Sequence, residues 1–185
     1  GIPGIIKRLK ENYNRLSDLG KLDNNKSEFF KTALQVHNSM LKLISRFAIQ
    51  ANLLSKNHPK MGLVEKSLLN LSKGAPTDIL EAMQLLSIYF FWQSYIEGTI
   101  VRSLGRLDEL LLPFYEKDVK SGRYTKEQIV ELLKHFFYRF YAADIIANVP
   151  FAIGGKNSKN NNRDEFGKLI LDTYSSLDIT SPKLH

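Results

Sequence analysis

The chain has 185 residues, 43% of them hydrophobic, with 26 Lys+Arg against 19 Asp+Glu for a net charge of +7. Its length fits one domain or a contiguous piece of a larger one, and its apolar content excludes a disordered chain. It contains no cysteine, which excludes disulfides, thiolate metal sites and a cysteine nucleophile within these residues.

The charge is uneven. Residues 1–73 hold 13 Lys+Arg and 5 Asp+Glu, a balance of +8, while residues 74–185 hold 13 and 14, a balance of −1. The basic residues are strung out, at Lys7, Arg8, Lys10, Arg15, Lys21, Lys26 and Lys31, without a block of four or more and with few aromatic side chains among them. A solvated helical face explains this spacing better than a nucleic-acid surface does.

In chain order, Gly1 to Lys10 lacks the apolar run and cleavage site of a signal peptide. Pro3 suits the first turn of a helix that runs through Ile6, Leu9, Tyr13 and Leu16 to Gly20. A second helix is expected from Asn25, with Glu28 as capping partner and an apolar stripe of Phe30, Ala33, His37, Leu41, Ile44, Ala48 and Ala51. His37 on that stripe predicts a hydrogen-bonded interior or groove histidine, since no second metal ligand follows at helical spacing. Asn57, His58 and Pro59 break the chain before a shorter helix over Lys60 to Ser72.

Thr77 is placed to cap the next helix, with Asp78 and Glu81 in its first turn. From Ala82 to Ile96 this helix carries no charge and is apolar on nearly all sides, so it must be surrounded. It is shorter than the ~18–20 apolar residues a membrane span needs, and a cytoplasmic protein without a membrane anchor is expected. Thr99 to Leu104 suggests a short strand between Gly98 and Gly105. Helices follow over Asp108–Lys120 and from the capping box Thr125–Gln128 through Ala143. Phe151 to Ile153 suggests a second strand, Asp164 to Ser176 a last helix, and Pro182 to His185 a third strand.

Strand, helices, strand, helix and strand in series suggest a parallel or barrel-like sheet. Self-contained chemistry is not visible. Gly154-Gly155-Lys156-Asn157 lacks the Ser or Thr and the earlier glycine of a phosphate loop. There is no Gly-x-Ser-x-Gly elbow, and the histidines at 37, 58, 135 and 185 lack metal spacing, so neither a catalytic residue nor a metal site is assigned.

An ordered set of motifs is far more specific. It comprises Pro76 to Gln84, Val101 to Asp108, Pro113 to Asp118 and Gly122 to Glu127, followed by Gly154-Gly155, the acidic helix start Asp164-Glu165-Phe166, and Pro182 to Leu184. This set resembles the glycyl radical enzymes, which include pyruvate formate-lyase. In that family a Glu-Ala-x-Gln helix is followed, 22 residues after its glutamate, by a Ser-x-Gly-Arg strand; Glu81 and Ser103 keep that spacing.

The resemblance implies a mostly α chain with a few short strands, part of a ten-stranded β/α barrel. Residues 1–75 would be outer helices, and residues 76–185 helices plus the first barrel strands. It implies Glu81, Gln84, Gly105, Arg106, Asp108, Gly154 and Gly155 as architectural motif positions. Val101, Ser103 and His185 become candidates for the substrate pocket. Full-length members hold a radical-storing glycine loop against a cysteine loop, and a radical SAM enzyme activates them.

Neither loop is expected here, so the segment alone would be inert and would need the remainder of the barrel, in a parent expected to be a homodimer. Polyol dehydratases of the family have a His-Ser pair where this chain has Ile100 and Val101. The apolar pair points away from a polyol substrate and toward the pyruvate formate-lyase branch, although Gly98-Thr99 replaces the family's usual Asn-Gly. Two other readings remain: a free-standing basic helical binding module, and a truncated, non-catalytic relative that assembles with a partner chain.

Overall fold

The computed structural model describes residues 1–99, 102–143, 149–155 and 161–184, and divides into two compact units, Gly1–Pro76 and Thr77–His185. Val101 and His185 lie outside the described residues.

The first unit is three helices: α1 (Ile2–Asp18), α2 (Asn24–Ser55) and α3 (Met61–Lys73). Its interior is formed by Ile2 and Ile6 of α1, Met40, Ile44, Ala48 and Ala51 of α2, and Leu68 and Leu71 of α3. Ala48 and Ala51, three positions apart on the buried side of α2, are small enough to let a neighbouring helix approach closely. The cap of α2 differs from the expectation by two residues. Asp23, not Asn25, accepts the Lys26 N–H at 2.8 Å, and Lys26 also pairs with the Asp23 carboxylate. Aspartate is the stronger acceptor, so it fixes the start. His37 is half-buried with Nδ1 2.7 Å from the Ala33 carbonyl, the hydrogen-bonded groove position its spacing predicts.

The second unit holds α4 (Ile79–Tyr95), β1 (Gly105–Arg106), α5 (Leu107–Lys120), α6 (Lys126–Ala142), β2 (Pro150–Ala152), α7 (Asn161–Ser175) and β3 (Lys183–Leu184). The strands form one parallel sheet in the order β1-β2-β3, with Gly105 opposite Phe151 and Phe151 opposite Leu184. Parallel neighbours need long crossovers, here α5 with α6, and then α7. The described residues are therefore mostly helical with a small parallel sheet.

The core of this unit joins every layer. Ile79 and Met83 of α4, Leu107 and Leu111 of α5, Ile129, Leu133 and Phe137 of α6, Phe151 of β2, and Phe166 and Ile170 of α7 are all buried in it. Thr125 and Gln128 form the expected reciprocal capping box of α6. The apolar helix α4 is enclosed only in part. Its first half is buried, but Tyr95 and Ile96 at its end are 65% and 67% exposed. Among the described residues no helix is long and apolar enough to cross a membrane.

The first strand lies later than expected. Of the strand expected over Thr99–Leu104, residues 100 and 101 lie outside the described residues and 99 and 102–104 are not strand, and pairing by β1 occupies Gly105 and Arg106. The reason lies in Arg102, whose guanidinium turns back to α4 and donates to the Phe90 carbonyl and Ser94 Oγ, each at 2.6 Å, and to the Gln93 side chain. It also stacks over the Phe90 ring at 4.1 Å. This tether holds the chain against the helix until Leu104, whose N–H reaches the Pro150 carbonyl at 2.8 Å.

Candidate functional site

Besides the Arg102 tether, buried polar side chains of the second unit gather at two places, each built on a backbone feature that needs them. The first is the turn after β2. Gly154 and Gly155 have φ of 79° and 125°, a region L-residues avoid. A β-carbon on Gly155 would also stand 3.4 Å from Arg106 Nη1. The turn is clasped from both sides. Asp108, 1% exposed, accepts the Gly154 N–H at 2.9 Å, and Arg106 donates to the Gly154 carbonyl. Arg163 donates to the Gly155 carbonyl at 3.1 Å and to Glu109 Oε1 at 3.1 Å. Arg106 pairs with Glu109 at 2.9 Å and lies 3.4 Å from Asp108; Arg163 Nε lies 3.6 Å from the same Asp108 oxygen.

Two guanidiniums thus meet Asp108, Glu109 and, 3.7 Å from Arg163, Asp164 around one glycine pair, at the carboxyl ends of β1 and β2. The groups bind one another and the backbone, although among the described residues Asp108 Oδ1 and the Nε atoms of Arg106 and Arg163 are buried without a hydrogen bond. Such an arrangement fixes the path of a turn rather than performing proton transfer. The structure brings Arg106, Asp108, Gly154 and Gly155 into one cluster. Arg163 completes it, although nothing in the amide-rich stretch before it marks that residue in the sequence.

Gly105, with φ 75°, opens β1 beside this cluster. Ser103 is exposed, and its hydroxyl is used locally: it donates to the Pro150 carbonyl at 3.1 Å and accepts the Gly105 N–H at 2.9 Å. It therefore ties β1 to the start of β2.

The second place is the amino end of α4. Asp78, rather than Thr77, is the N-cap, accepting the Glu81 N–H at 2.8 Å. An aspartate at this position meets the helix dipole with charge as well as a hydrogen bond. Thr77 stands one residue outside, where its N–H and hydroxyl donate to Glu81 Oε2 at 2.7 and 2.9 Å. Asp118, fully buried on α5, takes the Ile79 N–H at 2.8 Å, and Arg123 pairs with Asp78 at 2.5 Å. Glu81 and Gln84 are buried on α4.

Burial pushes the Asp78 carboxyl above the ordinary aspartate range, while the Glu81 N–H and the Arg123 guanidinium pull it down. The folded state therefore keeps this proton to a higher pH than the unfolded chain does. Through Asp78, stability should fall as pH rises from about 4 through the folded value. Asp78→Asn retains the cap and cannot ionise, so the fall in urea midpoint between about pH 4 and 7 should be shallower in the variant. An unchanged profile would remove Asp78 from the account.

The fold that carries these features has a counterpart among solved structures. The fold of the whole chain matches a glycyl radical enzyme from Archaeoglobus fulgidus with a TM-score of 0.83 at 19% identity, covering 26% of that protein. The sequence pattern described as pyruvate formate lyase-like matches residues 1–185. The chain belongs to the pyruvate formate lyase-like family.

Within that family it is 24% identical over 197 residues to a 4-hydroxyphenylacetate decarboxylase glycyl radical subunit of Clostridium scatologenes, covering 98% of this chain and 21% of the relative. The corresponding subunit of Clostridioides difficile is also 24% identical, over 209 residues, with 100% and 23% covered. A shorter stretch of 37 residues is 54% identical to an isethionate sulfite-lyase of Oleidesulfovibrio alaskensis, covering 20% of this chain and 4% of the relative. The chain thus spans about a fifth of the length of the two decarboxylase subunits. These relatives carry the names of a decarboxylase and a sulfite-lyase rather than of a formate acetyltransferase.

Proposed function

We propose that this chain is a segment of a glycyl radical lyase that cleaves a carbon–carbon bond, and that it is inert by itself. The family match over all 185 residues carries the reading. Carbon–carbon cleavage is the chemistry shared by pyruvate formate-lyase, a formate C-acetyltransferase, and a 4-hydroxyphenylacetate decarboxylase. The apolar Ile100–Val101 pair supports a substrate that is not a polyol.

In this reading the three parallel strands are the first staves of a ten-stranded barrel, and the helices of residues 1–75 lie outside it. Val101 and His185 belong to the pocket wall, and Ser103, Arg106 and Asp108 set the position of the first two strands. In the whole enzyme a glycyl radical installed by a radical SAM enzyme supplies the thiyl radical that begins the reaction. The parent is a cytoplasmic homodimer of anaerobic metabolism. The chain's part is mechanical: Asp108, Arg106 and Arg163 hold the exit of the second strand at a fixed place, so that neighbouring pocket residues keep their register.

Sequencing the gene on both sides of residues 1 and 185 tests this reading. The expected result is one open reading frame that continues past residue 185 into a cysteine-bearing loop and then a glycine loop near its end. A frame that stops without a cysteine loop would sink the segment reading. A separate neighbouring gene carrying both loops would instead support a relative assembled from two chains.

A further inference from the structure

Between Glu28 and Glu65 the sequence contains no acidic residue, and most of that stretch is α2. The buried side of α2 is formed by Phe30, Met40, Ile44, Ala48 and Ala51. At 100° per residue the opposite side carries Lys42, Arg46, Ile49, Leu53 and Lys56, and all five are exposed. Ile49 and Leu53 are large aliphatic side chains at 60% and 52% exposure. The stripe runs for about 21 Å, with two cations at one end, the aliphatic pair in the middle and a cation at the other end.

Lys7, Lys26 and Lys31 find carboxylates on their own helices. Among the described residues Lys42 and Arg46 make no ion pair, and they line a shallow groove with Asn38, Leu41 and Ser45. Ser45 turns its hydroxyl back to the Leu41 carbonyl at 3.0 Å, leaving the two cations as the charged groups of that groove.

We propose that this face of α2 docks an acidic amphipathic helix of a separate protein. Charge complementarity is the first argument. Three like charges share a line on a unit that already holds 13 Lys+Arg against 5 Asp+Glu, so a partner bringing carboxylates relieves repulsion as well as adding contacts. The second argument is the aliphatic pair. Four turns of a partner helix, with two aliphatic residues one turn apart and glutamates on either side, match the stripe in both length and order.

Nucleic acid fits less well, because no aromatic ring lies on the stripe and its centre is aliphatic. A lipid surface would need a broad apolar face with cations at its margins, whereas here they share one line. Two copies related by a two-fold axis would set the stripe against its own charge.

The test uses the 185-residue chain and a fluorescein-labelled peptide of roughly 18 residues, with leucines one turn apart flanked by glutamates, beside a scrambled peptide of the same composition. Anisotropy should show binding in the micromolar range for the ordered peptide. Affinity should weaken several-fold between about 50 and about 300 mM salt. Lys42→Glu with Arg46→Glu should lower it at least ~10-fold, and Ile49→Ser with Leu53→Ser at least ~5-fold. All four positions are exposed, and circular dichroism verifies that both variants stay helical. Equal binding of the scrambled peptide, affinity untouched by either variant, or no binding below about 1 mM would overturn the proposal. So would tighter binding of a DNA duplex or of phosphatidylserine vesicles than of the ordered peptide.

Discussion

Replacing Asp108 with alanine is expected to lower the stability of the Thr77–His185 unit by about 3–5 kcal/mol. The carboxylate is 1% exposed, receives the Gly154 N–H at 2.9 Å, and faces Arg106 and Arg163. Its removal leaves a backbone donor without its acceptor. It also leaves Arg163, 7% exposed, with only the half-exposed Glu109 and the more exposed Asp164 as counter-charges. Asp108→Asn keeps an oxygen for Gly154 and loses the charge, so its cost should be smaller, on the order of 1–2 kcal/mol.

Urea unfolding followed by tryptophan fluorescence checks both variants. The single tryptophan, Trp92, lies on α4 and reports on this unit. An alanine variant within about 0.5 kcal/mol of the parent would mean that Glu109 and Asp164 suffice to neutralise both arginines.

Phe151→Ala should cost a similar amount, about 3–5 kcal/mol, for a different reason. Phe151 is fully buried on the middle strand, in a three-ring cluster with Phe137 and Tyr174, each 5.2 Å from it and 5.3 Å from one another. Alanine removes the side chain that joins β2 to both α6 and α7, and the surrounding rings cannot collapse into the space without moving two helices. Tyr138→Ala on the exposed side of α6 is the control, since that ring is 45% exposed. The same fluorescence measurement should place the control within about 1 kcal/mol of the parent. Equal losses at the two positions would contradict a core centred on β2.

Much of the fold was legible because its signals are local. A capping box needs only Thr125 and Gln128 three residues apart, and it starts α6 as expected. The 3–4 spacing of Ile6, Leu9, Tyr13 and Leu16 on α1, and of Ile44 and Ala48 on α2, marks sides that are buried or half-buried without reference to any partner. His37 is a similar case, since its partner is the carbonyl one turn earlier in the same helix.

The misplacements came where one group outcompetes another, close to it in the sequence at the two caps and on another element at the first strand. Asp23 and Asp78 displace the expected caps because a carboxylate accepts the helix N–H groups more strongly than a neutral side chain does. The first strand shifts from Thr99–Leu104 to Gly105–Arg106 because Arg102 is bound to the end of α4. Strand propensity contains no information about such a tether.

The sequence by itself determined the family, the helix spacings and the lack of a cysteine nucleophile, because residue identities and intervals are one-dimensional facts. The tertiary structure decided that Arg163, which carries no sequence signal, meets Arg106, Asp108 and Glu109 around Gly154-Gly155. It also left Lys42 and Arg46 of α2 without an ion pair among the described residues. These outcomes depend on which elements pack together, and that choice rests on the summed burial of many side chains rather than on any motif.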